Sequence, residues 1–431
     1  MKLFTLACIT VLCMMISACK KENNKDTPSI NIIAPTGFTS YNVFDTVKVT
    51  AQVSDPGGLK TVSVYIMNSA NIQVLQGYQV QVTSNNMTFT VPLIINNIHL
   101  PSGNYFVAVN AYNGANMNYA YRQIYIAAAP QKRVAVYAIT LAGTWLQGYT
   151  LDSALHSSTA FTVAGNYAAS DVNSYYQQLY IVPLDTGNAS ALNVPANSFA
   201  WSLQGINSPA HYFTNVYSYG NAAYVSLFAG FVKFYNSTGV LQMQINTDTA
   251  YYPVKTLVWN NFLFVEEKSI SSPGDNLVVF YQASGMGYQQ LALPSGSQVA
   301  MFGYDINDLL VAGNQSNGMP YLLQYNISAN TFFAPVALPS SRMLSAVQIN
   351  SNTYLLSFAD QTIYQYTWSP NAFSPFMSGV AASKLRYDAV NNEILAAAAN
   401  TVKEYTYPGA SLLYSASLGD SVLDIQILYN H

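Results

Sequence analysis

Few residues in this chain are equipped for chemistry. Its histidines are His99, His156, His211 and His431, and its cysteines are Cys8, Cys13 and Cys19. Nucleophilic catalysis needs an activated Ser, Thr or Cys with a base in reach. Gly-x-Ser-x-Gly, His-Glu-x-x-His and Cys-x-x-Cys are all absent, so no catalytic residue, cofactor or metal is expected. The carboxylates that a metal-dependent hydrolase or lyase would need are spread singly, as Asp171, Asp305, Asp388 and Asp424. Glu266-Glu267, an adjacent acidic pair in the body of the chain, is expected to mark an exposed strand end.

Cys19 is the cysteine with a chemical context. Lys2 is followed by the apolar run Leu3 to Ile16, and Ser17-Ala18 precede the cysteine. A short cationic start, an apolar stretch below spanning length and small residues before a cleavage point read as a signal peptide. Ending on a cysteine, it reads as a bacterial lipoprotein signal. Residues 1–18 are then the leader, Cys19 is the lipidation site, and residues 19–28, with Lys20-Lys21-Glu22 and Lys25-Asp26, form a solvated tether. The expected location is the outer membrane, on its periplasmic or cell-surface face, held by a lipid anchor. Loss of the leader removes Cys8 and Cys13, so no disulfide is available and a large core must supply the stability.

Binding resources are more plentiful than catalytic ones. The chain holds 34 Tyr, 20 Phe and 4 Trp, but only 8% charged residues. Aromatic rings offer broad faces that stack on sugars or anchor protein interfaces with few torsions to freeze. Trp145, Tyr175, Tyr176, Tyr251, Tyr252 and Trp368 fall in loop-like contexts and are the aromatic ligand-binding candidates. In the dipeptides, strand alternation should turn one ring inward and leave one free. Lys255, Arg342 and Lys384 each sit near the beginning of an expected strand and would meet an anionic group if the fold brings them to one mouth. With a net charge of −3 and no dense basic patch, nucleic acid is not an expected partner.

The elements that must position these side chains are strands. From Ser29 to about Ala128, apolar and polar residues alternate in short bursts between turn-formers, the period-2 pattern of antiparallel strands. About seven strands in about one hundred residues matches an immunoglobulin-like sandwich. In Val53-Ser54-Asp55-Pro56-Gly57-Gly58-Leu59, and in Ser102-Gly103-Asn104-Tyr105 opening a late strand, residues 29–128 resemble the Ig-like or cadherin-like modules common in exported proteins of Bacteroidota. The Cys-Trp-Cys pins of antibody domains are missing. Cadherin-like modules can bind calcium through an Asp in such a turn, but calcium takes six to eight oxygen ligands. Asp55 has no carboxylate neighbours in sequence, so a plain turn is the expectation.

Past the joint Ala127 to Lys132 the strands repeat. Apolar strands ending in Tyr235, Tyr281, Tyr325, Tyr366 and Tyr405 recur at intervals of 39 to 46 residues. A period near forty with four strands per unit is a propeller signature. Asn-marked hairpins lie upstream, at Asn260-Asn261, Asn307-Asp308, Ser351-Asn352 and Asn391-Asn392, where positive φ suits Asn and Asp. Six whole units follow Tyr167; the unit holding Tyr180 fits the spacing least well and calls for an insertion. Three strands over Val134–Val163 and one over Ser421–Tyr429 remain. Together they predict a seventh blade that closes the ring without a free edge.

The expected fold is therefore all-β, an N-terminal Ig-like β-sandwich followed by a seven-bladed β-propeller (133–431) closed by the C-terminal strand. The expected function is a non-enzymatic scaffold binding a glycan or an envelope protein. The alternatives are a metal-dependent hydrolase or lyase at the channel mouth, and a structural assembly factor of an outer-membrane complex.

Overall fold

Alternation along each strand is borne out as two stacked sheets and then a ring of blades in the computed structural model, which describes residues 27–431 apart from 195 and 207–210. The leader 1–18, Cys19 and all but the last two residues of the 19–28 tether lie outside the described residues. The chain divides into two compact units, the first ending at Pro130 and the second spanning Gln131–His431. Every element among the described residues is a strand.

In the first unit, Thr46–Ser54 pairs with Ser29–Ala34 on one side and Asn86–Ile94 on the other. A second sheet runs Thr39–Asn42, Met117–Ala127, Gly103–Tyr112, Thr61–Met67 and Tyr78–Val80 in that order. The count is eight strands, one more than expected, because the short Tyr78–Val80 edge lacks the length for a recognisable alternation. Inward positions such as Val47, Val49, Ala51 and Val53 bury against Val62, Val64 and Ile66 of the facing sheet, as period 2 requires. Asp55 is buried and both its oxygens are taken, Oδ1 by the Gly57 N–H at 2.7 Å and Oδ2 by the Asn113 amide at 2.7 Å. It is the plain turn.

The second unit holds seven four-stranded sheets. Blade 1 is Val422–Tyr429 innermost, then Arg133–Ala142, Trp145–Leu151 and Ser157–Ala164. Its register sets Ile425 opposite Ala138 and Tyr429 opposite Arg133. Blades 2 to 7 follow in chain order, with inner strands Ala169–Asn173, Phe213–Tyr219, Tyr251–Trp259, Gly296–Gly303, Met343–Asn350 and Lys384–Asp388. Seven apolar clusters fill the seven blade interfaces, including one between blades 7 and 1 that joins Leu395 and Ala397 to Val136, Ile425 and Ile427. A ring in which every interface is packed has no exposed edge strand at its seam.

The recurrent tyrosines explain the period. Tyr235, Tyr325, Tyr366 and Tyr405 end third strands and are buried between blades. Tyr325 and Tyr366 donate their hydroxyls to Asn330 and Asn371 at 2.9 Å, and these asparagines turn the next hairpin with φ of 52° and 63°. Tyr281 departs from the set: it is exposed and packs beside Phe262 and Tyr288 on the blade's rim. Asn260, Asn261 and Asn392 take the expected positive φ. Asn307 and Asn352 do not; there Asp305 and Asn350 cap the turn by accepting the backbone N–H of Asn307 and Asn352.

Two expectations are corrected. The unit around Tyr180 carries no insertion: Gln178–Val182 is the second strand of blade 2, and its third strand, Ala189–Asn193, lacks the marker tyrosine. Glu266 and Glu267 are not an exposed strand end. They lie inside Phe262–Ser269, the second strand of blade 4, each 1% exposed.

The misplaced pair has a measurable consequence. Burial pushes the Glu267 carboxyl up to about 7, with nearby Asp248 adding to the effect, and Oε1 has no hydrogen-bond partner among the described residues. Because the folded pKa lies above the ordinary 4.5, the folded state holds the extra proton between those values, and its stability falls as pH rises through the window. The full linkage is roughly 3 kcal/mol. Glu267→Gln should therefore raise stability at pH 8 by about 1–2 kcal/mol, the amide offsetting part of the gain with unpaired donors, and change it little near pH 5. Urea unfolding at the two pH values checks this; an equal gain at both would contradict it.

Candidate functional site

Inner strands of all seven blades converge on a channel cavity of about 620 Å³. Every inner strand contributes lining residues, from Asp424 of blade 1 to Ser297–Phe302 along most of the inner strand of blade 5, so the residues that face it come from positions hundreds apart in sequence. Four cations reach it, Lys255 from blade 4, Arg342 from blade 6, and Lys384 and Arg386 from blade 7, against the carboxylates Asp171 and Asp424.

Asp424 is fully engaged. Arg386 Nη2 donates to it at 2.9 Å, the Tyr167 hydroxyl at 2.6 Å, Ser170 Oγ at 3.0 Å, Gln426 Nε2 at 3.1 Å and its neighbour's N–H, Ile425, at 2.9 Å. Burial alone would raise its pKa, yet Arg386, Lys384 and these donors hold it below the usual carboxylate range. Asp171 accepts the N–H groups of Ser218 at 2.6 Å and Val172 at 2.8 Å. Burial still pushes it up to about 6. Two carboxylates in one channel thus differ because one faces a guanidinium and the other mostly backbone dipoles.

Lys255 is opposite Glu266 in the ladder of blade 4. Burial, reinforced by Lys384, pushes its ammonium down, while Glu266 and Asp424 pull it back up. Glu266 is pushed up by burial to about 7, against the pull of Lys255, and accepts the Gln298 N–H at 3.2 Å. No carboxylate comes within ion-pair distance of Lys255, Arg342 or Lys384 among the described residues. Gln298, on the channel wall and 7% exposed, has neither amide atom hydrogen-bonded.

A second, shallower pocket of about 580 Å³ opens where the inner strands of blades 2 and 3 end. Tyr175, Tyr176 and Tyr219 line it with Asn173 and Asn221. Tyr175 and Tyr219 are 51% and 45% exposed, and Tyr176 supports Tyr175 edge-on at 4.9 Å. Asn173 ties the two loops together by donating to Ser218 Oγ at 3.1 Å and to the Gly220 carbonyl at 2.9 Å. Tyr175 and Tyr176 lie in the turn between Ala169–Asn173 and Gln178–Val182 rather than on a strand, so the alternation expected of the pair does not apply to it.

The sequence candidates thus separate. Lys255, Arg342 and Lys384 share the channel with Asp171 and Asp424. Tyr175 and Tyr176 share the second pocket. Trp368 stacks on Tyr304 at 4.1 Å between blades 6 and 5, and Tyr252 packs on Phe228 at 4.4 Å. Those two rings are tied up in packing, Tyr251 beside Tyr252 is half-buried, and Trp145 stands exposed at the start of its strand away from both pockets. Asp388 belongs to an ion cluster with Arg133, and Asp305 caps a turn. No three His, Cys, Asp or Glu side chains gather to hold a metal among the described residues. Arg386 and Gln298 were not singled out in the sequence. Arg386 had a signal, two residues beyond Lys384 on one strand face; Gln298 had none.

Residues 28–109 match the family described as bacterial Ig domain. No curated protein matches the chain. Among solved structures it is similar to a chain of the mitotic checkpoint complex, with a TM-score of 0.50 at 14% identity over 61% of this chain and 80% of that one. It is also similar to the computationally designed Ika8 protein (TM-score 0.47, 15% identity, 68% and 90% covered) and to apo AztD from Citrobacter koseri (0.47, 10%, 68% and 98%). At 14% identity the first likeness concerns fold alone. Fold and sites together define an all-β protein with a bacterial Ig domain and a seven-bladed propeller, a class suited to binding or scaffolding outside the cell or at its envelope.

Proposed function

We propose that the protein is a non-enzymatic binding protein of the bacterial outer membrane, anchored through lipidated Cys19, whose propeller presents the Tyr175–Tyr176–Tyr219 pocket to a glycan. The observation carrying this reading is two half-exposed tyrosine rings, held by a cross-blade Asn173 bridge, above a shallow pocket with Asn221 at its edge. Rigid rings stack on the apolar faces of sugars, and neighbouring amides serve their hydroxyls. The lipoprotein signal at Ile16-Ser17-Ala18-Cys19 and the Ig module as spacer support placement at the envelope.

A glycan array followed by calorimetry tests the reading. Tyr175→Ala and Tyr219→Ala should each weaken a bound glycan about tenfold or more, with melting unchanged because both rings are half in solvent. Binding that ignores both substitutions would remove the site. An envelope protein captured in place of any glycan would overturn the ligand class.

A further inference from the structure

We infer that the propeller channel is a second ligand site, separate from the tyrosine pocket, which takes a small molecule bearing a carboxylate, sulfate or phosphate group. The two sites sit at opposite ends of the same inner strands: in blade 3, Thr214–Tyr217 face the channel cavity while Ser218–Asn221 line the tyrosine pocket.

Charge accounting points to an anion. Around the channel Asp424 is taken by Arg386 and four further donors, Asp171 by two backbone N–H groups, and Glu266 by the Gln298 N–H. Lys255, Arg342 and Lys384 are left without an ion pair among the described residues, and Lys384 lies close enough to Lys255 to disfavour its charge. Lys255 and Lys384 are half-buried on the channel wall and Arg342 is exposed at its mouth; a cation drawn even partly out of water is ordinarily paired, because otherwise it loses hydration with nothing in return. An anionic group on the axis would face three cations from three different blades.

Gln298 makes the second, independent argument. The residue is more than nine-tenths buried and lines the cavity, and neither Nε2 nor Oε1 of its side chain is hydrogen-bonded. Leaving both ends of a buried amide unmade is costly, a cost that a ligand with a donor and an acceptor removes. A cavity of about 620 Å³ lies within the usual range for small-molecule sites. The ligand is therefore of sugar-acid or sugar-ester size, with one anionic group for the cations and hydroxyls for the amide.

Calorimetry on the full chain with D-glucuronate, glucose 6-sulfate and glucose 6-phosphate, and with glucose as the neutral control, distinguishes the three anion sources. At least one anionic probe should bind where glucose does not, and its affinity should fall as sodium chloride is raised. Lys384→Gln and Arg342→Gln should each weaken that probe at least tenfold, whereas Tyr219→Ala should leave it unchanged. Arg342 is exposed at the mouth, so its substitution keeps the test valid if Lys384→Gln misfolds. Failure of all three anions, binding no tighter than glucose, or anion binding indifferent to Arg342→Gln would overturn the inference. None of these outcomes bears on the glycan reading, whose substitutions lie at the other end of the strands.

Discussion

Replacing Arg133 by Leu is expected to lower the stability of the propeller by about 3–5 kcal/mol, the range for stripping one partner from a buried ion cluster. Arg133 stands at the start of the second strand of blade 1 and reaches into blade 7. There its Nη1 meets Asp388 at 3.0 Å and Glu393 at 3.1 Å and donates to Glu404 as well. The side chains of Asp388 and Glu404 are fully buried, so one guanidinium holds carboxylates from three strands across the ring's seam. Even with it in place, burial pushes Glu404 up to about 7.

Without the cation the three carboxylates face one another, and the folded-state pKa of Glu404 must rise further. A raised carboxyl pKa gives stability that is present at low pH and lost as pH rises through the folded value. The deficit of Arg133→Leu should thus be smaller at pH 5 than at pH 8, and adding Glu404→Gln should recover part of it. Urea unfolding of the single and double variants at both pH values decides the point. A deficit under about 1 kcal/mol, or one independent of pH, would mean the seam is held by its apolar cluster alone.

Removing the residues after Gly419 should have the larger effect. The lost strand, Val422–Tyr429, is the innermost of blade 1 and is paired along its length with Arg133–Ala142. Val422, Ile425, Ile427 and Leu428 are buried in the clusters that join blade 1 to its two neighbours. At about 1.5–3 kcal/mol for each buried aliphatic side chain, their loss amounts to about 6–12 kcal/mol. That is comparable with the whole stability of a typical domain. Arg386 loses Asp424 as well, and the second strand of blade 1 is left with an open edge toward the channel. Calorimetry with size exclusion should show aggregation or loss of a cooperative melt, reversed by a peptide of residues 420–431 supplied in trans. A truncated monomer that melts close to the full chain would refute the closure.

Much of this was legible along the chain because strand alternation and hairpin chemistry are local. The strand-ending tyrosine recurs every 39 to 46 residues, so its period counts blades, and at Tyr325 and Tyr366 it lies five residues before a positive-φ asparagine. Where the marker was missing, as in Ala189–Asn193 of blade 2, the count of blades survived but the strand was misassigned. Asp55 was readable as a turn because its partner N–H is two residues away. Lys255, Arg342 and Lys384 were noticed by their similar places in three of the repeats, which is how a periodic chain hints at a shared axis.

By itself the sequence determined the all-β class, the Ig-like and propeller regions and the seven-blade closure, since each rests on spacing within about forty residues or on a leftover strand. Only the tertiary structure decided which polar groups meet. Glu266-Glu267 looks like a solvated pair in sequence and is buried in the second strand of blade 4; Gln298 looks unremarkable and is an unpartnered amide on the channel wall; Arg133 looks like a linker charge and pins the seam. The physical reason is that a group's hydration and partners depend on neighbours brought in from other blades, and ring closure sets Arg133 beside Glu404 although 271 residues separate them.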